Sequence, residues 1–161
     1  MVIQLHRYFG NDHITKSVME VWMDGEDSPR LTCEARESAY SDYSESFAGA
    51  SHYCLPVGKW KLKVGHSPYS PMGLRVPKCP GHRQVYIGHK WTRQCYEGEI
   101  LIGEAVLSEE YEGEWAHMYC TIDNGEEVFR KLDALVYEAF GRLEEFWLEV
   151  DNENIAVATT I

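Results

Sequence analysis

The first nine residues alternate. Ile3, Leu5, Arg7 and Phe9 fall on one side of an extended chain and Val2, Gln4, His6 and Tyr8 on the other, a two-residue period that predicts a strand over residues 2 to 9. Gly10-Asn11-Asp12 reads as a turn. A second strand is expected over residues 14 to 23. Asp24-Gly25-Glu26-Asp27-Ser28-Pro29 then supplies turn chemistry before a third over residues 30 to 36, so the chain opens as an antiparallel meander. Residues 38 to 51 are rich in Ser, Tyr, Ala and Gly without a clean period and read as a loop. The clearest alternation comes next: Trp60, Leu62 and Val64 face a core while Lys59, Lys61 and Lys63 face out, a solubilising strand face or a protected sheet edge. Shorter strands are expected at 74 to 76, 84 to 87, 99 to 106 and 115 to 121, with loops at 65 to 73, 77 to 81 and 89 to 98.

Beyond residue 121 the period changes. Val128, Leu132, Leu135, Val136, Ala139 and Phe140 recur at three- and four-residue steps, which is a helix burying one face. Asp123 or Asn124 can cap its start, Glu126 and Glu127 lie in its first turn where the helix dipole favours anions, and Gly141 is expected to end it as a left-handed cap. Residues 146 to 150 read as a closing strand, with continuation of the helix as the alternative. The expected fold is α+β, mostly β: a curled antiparallel sheet or small barrel with one C-terminal helix packed on it.

Composition narrows this. With 161 residues and 44% hydrophobic positions, the chain has the length for one domain over residues 1 to 161 and too much burial material to be disordered. No apolar run is long enough to cross a bilayer, and the alternating start is unlike a secretory leader, so the expectation is a cytoplasmic chain with no membrane partner. Cys33, Cys54, Cys79, Cys95 and Cys120 are an odd, widely spaced set, read as free thiols in a reducing compartment. His52-Tyr53-Cys54 and Cys79-Pro80-Gly81-His82 come nearest to metal-ligand spacing, but neither has a second pair at finger-like distance; no metal and no cofactor are expected.

Charge is distributed unevenly. Residues 1 to 96 hold 12 Lys/Arg against 9 Asp/Glu, whereas residues 97 to 161 hold 3 against 17, within a total of −11. From Lys59 to Arg93 there are eight basic residues and no acid. Such a window is either one face of an anion site or the internal complement of the acidic C-terminal third. The negative total disfavours duplex nucleic acid.

The opening Ile3-Gln4-Leu5-His6-Arg7, Leu31-Thr32-Cys33-Glu34, Cys54-Leu55-Pro56-Val57-Gly58-Lys59-Trp60, Ser67-Pro68, Pro80-Gly81 before Tyr86-Ile87, and Glu97-Gly98-Glu99-Ile100-Leu101-Ile102-Gly103 stand in a recognisable order. Together with the helix and closing strand they resemble, over nearly the whole chain, the phage-associated family numbered 5675 among domains of unknown function. The resemblance implies that a segment reading Ile-His-x-Gly-Asn and then Asp-Thr-x-Gly-Cys-Ile should lie between the last two motifs. A His with a Gly-Cys step is similar to the cysteine motif of L,D-transpeptidases, in which an imidazole activates a thiolate. Here Glu99 stands at the cysteine position, Cys95 at the aspartate and Gly88 at the histidine, with His89 one place late. A carboxylate is too weak a nucleophile toward an amide at neutral pH, so the resemblance implies a chain that has lost the chemistry.

Two kinds of function are expected from these residues. The first is a non-catalytic, phage-type accessory protein, cytoplasmic in the host cell, that binds a small anionic molecule or a host protein. Its candidate ligand groups are Arg75, Arg83, Tyr86, His89, Lys90, Trp91, Arg93 and Glu99, combining charge-assisted donors with rings that can stack. The second is an enzyme acting on peptidoglycan amide or glycan bonds through Cys95 and His89, a nucleophile and base six residues apart. A paired-carboxylate hydrolase on Glu97, Glu99 and Glu104, and an acidic protein-interaction module using the C-terminal third, are further alternatives. The sequence leaves the oligomeric state open.

Overall fold

The computed structural model describes residues 1–44, 52–77, 79, 81–82, 84–89, 99–108 and 120–158. The opening meander forms as expected, with β1 (Val2–Gly10), β2 (Thr15–Trp22) and β3 (Leu31–Glu37) pairing antiparallel. The chain continues through β4 (Gly58–Lys61), β5 (Lys63–Gly65), β6 (Gly73–Val76), β7 (Val85–Gly88) and β8 (Glu99–Gly103). A two-stranded pair, β9 (Ala105–Ser108) with β10 (Cys120–Asp123), leads into the helix α1 (Gly125–Gly141), and β11 (Trp147–Asp151) and β12 (Ala156–Val157) complete the fold.

The main sheet runs β4-β11-β1-β2-β3-β8-β7-β6-β5, with β12 added beside β1. Its two ends, β4 and β5, are consecutive in the chain on either side of Leu62. Residues 58–61 pair with β11, residues 63–65 pair with β6, and the Leu62 N–H donates to the Phe146 carbonyl at 2.9 Å. One segment therefore supplies both edges, and the sheet curls into a nearly closed barrel shape with one helix packed against it. Closure of this kind covers the unpaired backbone groups that an open sheet leaves at its rims. Three pairings depart from the expected antiparallel pattern: β1 with β11, β1 with β12, and β7 with β8 are parallel.

Alternation decides what is inside. Ile3, Leu5, Met19, Val21, Ala35, Ile87, Ile100, Ile102 and Leu148 meet Val128, Phe129, Leu132, Val136 and Ala139 of α1 in one core. The expected helical face is the buried one, and Phe140, also expected to be apolar surface facing the core, stands outside at 55% exposure. Both helix ends differ from expectation. Asn124 holds the N-cap position in left-handed conformation, φ 51°, with its side chain on Glu104 rather than on the helix. At the far end Gly141 remains helical and Leu143 takes the left-handed conformation, φ 61°.

The inward row of β1 ends on a cation. Arg7, 1% exposed, donates to both oxygens of Glu37 (2.7 and 2.9 Å) and to the Leu55 carbonyl (2.6 Å). Burial opposes its charge, but the Glu37 carboxylate more than offsets this, so Arg7 is held more firmly protonated than a free arginine. The Glu37 Oε1 also accepts the Leu55 N–H at 3.0 Å, so the pair ties β1, β3 and the segment before β4 together.

Candidate functional site

Four strands present a polar row on the outer face of the barrel. In β6, Leu74 and Val76 are buried in the core, which turns Arg75 outward; Val85 and Ile87 do the same for Tyr86 in β7. The register aligns Lys63 with Arg75, Arg75 with Tyr86, and Tyr86 with Glu99. Neighbouring strands lie about 5 Å apart, so these side chains stand next to one another in one line. Charge and residue type single out Arg75, Tyr86 and Glu99 for the site, and the fold sets them on adjacent strands. Lys63, by its pattern only a member of the exposed lysine row, completes the line.

The electrostatics differ along it. Lys59 and Lys61, on β4, which precedes β5 in the chain and pairs with β11, pair with Glu149 (3.6 Å) and Glu145 (3.3 Å) and lie over the Trp147 ring. These two lysines realise the internal complement of the acidic C-terminal third. Lys63 and Arg75 have no ion pair among the described residues. The Arg75 Nε is buried and without a hydrogen-bond partner among the described residues. The Tyr86 hydroxyl donates to Gln84, which leaves its ring as the surface available for stacking.

Glu99 ends the row in a different setting. It accepts a 2.6 Å hydrogen bond from the Tyr69 hydroxyl and borders a small hollow of about 10 Å³ together with Glu37, Cys54, Tyr53 and His82. The Tyr69 ring leans over Gly88, where a Cβ would fall 2.2 Å from it, so this close approach requires glycine. Tyr69 also packs near His89, with ring centroids 5.8 Å apart, and His89 lies 5.0 Å from Phe129 of α1. His89 is thus held against the helix and apart from the Arg75–Tyr86 line. Tyr69 lies in the loop at 65 to 73, and its hydroxyl contact with Glu99 had no local signal in the sequence.

Arg83, Lys90, Trp91, Arg93 and Cys95 lie outside the described residues, as do Glu97 and the acidic segment at 109 to 114. The described thiols are poor nucleophiles. Burial pushes Cys33 up to about 12 and Cys79 up to about 11, and raises Cys54, with the Glu37 carboxylate adding to the last two. Glu104, the other carboxylate weighed beside Glu99, is exposed and takes the Asn124 side chain. Among the described residues no group of three or more His, Cys, Asp and Glu side chains is placed to hold a metal ion, and no helix is long and apolar enough to cross a membrane.

The class defined by fold and site is a mostly β, nearly closed barrel-shaped sheet with one packed helix, carrying a short cationic and aromatic row on its outer wall. Comparison with known proteins gives no matching family model, no matching curated protein and no matching solved structure.

Proposed function

We propose that this protein binds a small anion without transforming it, using Lys63, Arg75 and Tyr86 as contact groups. The observation that carries this reading is the register that sets Lys63, Arg75 and the Tyr86 ring side by side, with neither cation in an ion pair among the described residues. A ligand with a phosphate or carboxylate beside a planar ring, such as a nucleotide or a cell-wall fragment, matches a guanidinium and an ammonium next to an aromatic face. The −11 of the whole chain repels long polyanions and duplexes more than compact ligands.

The proposal extends to the phage-type accessory role implied by the resemblance of the motifs around Trp60 and Ile100. Glu99 supports the non-catalytic half of it, since a carboxylate occupies the place of the family's cysteine and is tied to Tyr69. The test is titration of the intact protein with inorganic phosphate and a panel of mononucleotides, following tryptophan fluorescence and melting temperature. A saturable shift is expected with at least one nucleotide, and Arg75→Gln should weaken it about ten- to a hundredfold, the worth of a charge-assisted hydrogen bond. A titration in which Arg75→Gln and the unmodified protein behave alike would remove the basis of the reading.

A further inference from the structure

The row Lys63, Arg75, Tyr86 and Glu99 changes chemistry from one end to the other. Its register sets two cations first, an aromatic ring next and a carboxylate last. With strands about 5 Å apart, the three steps from Lys63 to Glu99 cover about 15 Å, the length of a mononucleotide with a contact distance added at each end. Lys63 is exposed, and Arg75, Tyr86 and Glu99 are half-buried. A carboxylate repels the anion that its neighbours attract, so Glu99 suits a ligand that is negative at one end and donates hydrogens at the other. Its position is fixed from outside the strand. Tyr69 donates to it at 2.6 Å, and the loop that carries Tyr69 is itself anchored: the Tyr69 N–H donates to the Ser67 Oγ (3.2 Å) and the Ser70 hydroxyl to Asp133 of α1 (2.6 Å). A carboxylate offers about four acceptor positions, so the bond from Tyr69 does not exhaust it.

We infer that the ligand of this row is a guanine mononucleotide, an inference that rests on the anion-binding reading above and adds the identity of the base. The phosphate lies between Lys63 and Arg75, the base stacks on the Tyr86 ring, and the pairing edge of the base meets Glu99. A guanidinium gives a phosphate two parallel donors, and the lysine ammonium adds a compact charge beside it. Among the common bases only guanine has two adjacent donors on its pairing edge, a ring N–H and an exocyclic amino group, and the two oxygens of one carboxylate accept both. Adenine and cytosine set a ring nitrogen lone pair beside their amino group, and uracil sets its one N–H between two carbonyls. Each of them turns an acceptor toward the Glu99 carboxylate, a mismatch that a site built to receive donors rejects strongly. Charge complementarity therefore runs along the whole row, phosphate on cations at one end and N–H groups on an anion at the other. Because the Tyr69 bond already orients the carboxylate, little freedom is lost when the base arrives.

Isothermal titration of the intact protein with the monophosphates of guanosine, inosine, adenosine, cytidine and uridine tests this. Guanosine monophosphate should bind about ten- to a hundredfold more tightly than adenosine monophosphate, since donors to a carboxylate replace an opposed acceptor. Inosine monophosphate keeps the ring N–H but lacks the amino group and should fall between them. Glu99→Gln should bring the guanosine and adenosine compounds within about threefold of each other. Tyr69→Phe keeps the ring over Gly88 and removes only the hydroxyl. It should lower the preference for guanosine without changing the affinity for adenosine monophosphate, which a variant that merely loosened the fold would weaken as well. Binding of every nucleotide with one affinity, weakened alike by Arg75→Gln, would overturn the guanine assignment and leave the anion reading standing. A guanosine preference that survives Glu99→Gln would also overturn the assignment, and no binding of any nucleotide would overturn both.

Discussion

A single residue shows how tertiary contacts overrule local preference at the helix exit. Gly141 is the residue that local chemistry favours for a left-handed cap, but the left-handed turn falls two positions later on Leu143. There the Leu143 N–H reaches the Phe140 carbonyl and the Glu144 N–H the Ala139 carbonyl, at 3.1 and 3.0 Å. Residues beyond the turn set the stop. The Glu144 side chain is 5% exposed and accepts from the Met1 ammonium (2.9 Å) and the Asp24 N–H (2.8 Å), and Phe146 must enter the core before β11 begins. Stopping at Gly141 would pull these groups away, so the backbone accepts strain at a leucine that buries almost nothing. Left-handed conformation costs an L-residue about 1–2 kcal/mol. Leu143→Gly should therefore stabilise the protein by about 1 kcal/mol in urea denaturation. A destabilised variant would mean that the exposed isobutyl group contributes more than its surroundings show. Arg7 is the converse case. Its place on the inward face was legible from alternation with Ile3 and Leu5. Its partner was not, because the third strand reads as ending at Arg36, one residue short of Glu37. Arg7→Met leaves the carboxylate buried without its cation, with the Leu55 N–H still donating to it, and should cost about 3–5 kcal/mol, of which Arg7→Met with Glu37→Met should recover a large part. Equal losses in the single and double variants would show that the pair is not the unit of stability.

At the scale of elements, periodicity told strand from helix and inside from outside, and was silent about partners. The run from Lys59 to Val64 has the alternation of one straight strand. The fold splits it at Leu62, because a twisted sheet that closes on itself cannot keep one straight strand in register with β11 on one side and β6 on the other. Leu62, 4% exposed, is the hinge about which the segment passes from one partner to the next, and its N–H is committed to Phe146. Leu62→Ala should cost about 2–5 kcal/mol as a core truncation. It should also raise amide hydrogen exchange in both 58–61 and 63–65, whereas Val57→Ala, at a position 52% exposed, should do little. Loss of protection on one side alone would argue against a shared hinge. The parallel pairing of β1 with β11 was out of reach for the same reason. A row of alternating residues is the same whether its neighbour runs up or down, and the choice here depends on α1 carrying the chain back across the core. The candidate site was legible to the same depth. Arg75, Tyr86 and Glu99 were picked out by charge and residue type, and their alignment exists only through the register of four strands, Lys63 included, that are spread over the middle of the chain.

For the molecule as a whole, ionisation is divided among a charged exterior, the one buried Arg7–Glu37 pair described above, and thiols kept neutral inside. The outer surface joins the two unequal halves of the chain through Lys59–Glu149, Lys61–Glu145 and Arg30–Glu138, pairs that are exposed enough to contribute little each. The interior imposes a sharper dependence on pH. Cys33 is 7% exposed in the core beneath the helix, and burial lifts its thiol from 9.0 in the open chain to about 12 when folded; Cys79 is lifted to about 11. Below about pH 9 both states hold these protons and the thiols add no pH dependence. Above it the unfolded chain releases them while the folded chain keeps them, so the folded state binds more protons and stability must fall with pH. The window runs from about pH 9 to about pH 12, ending earlier for Cys79. Urea denaturation at steps of pH across this range should give a declining stability. Cys33→Ala should flatten the slope without abolishing it, because lysine and tyrosine deprotonation still contribute there. The slope, not the absolute stability, is the quantity to compare, since removing the sulfur also leaves a small cavity that lowers stability equally at every pH. An unchanged slope in Cys33→Ala would show that this thiol ionises in the folded protein as readily as in the open chain, and that the core beneath the helix admits water.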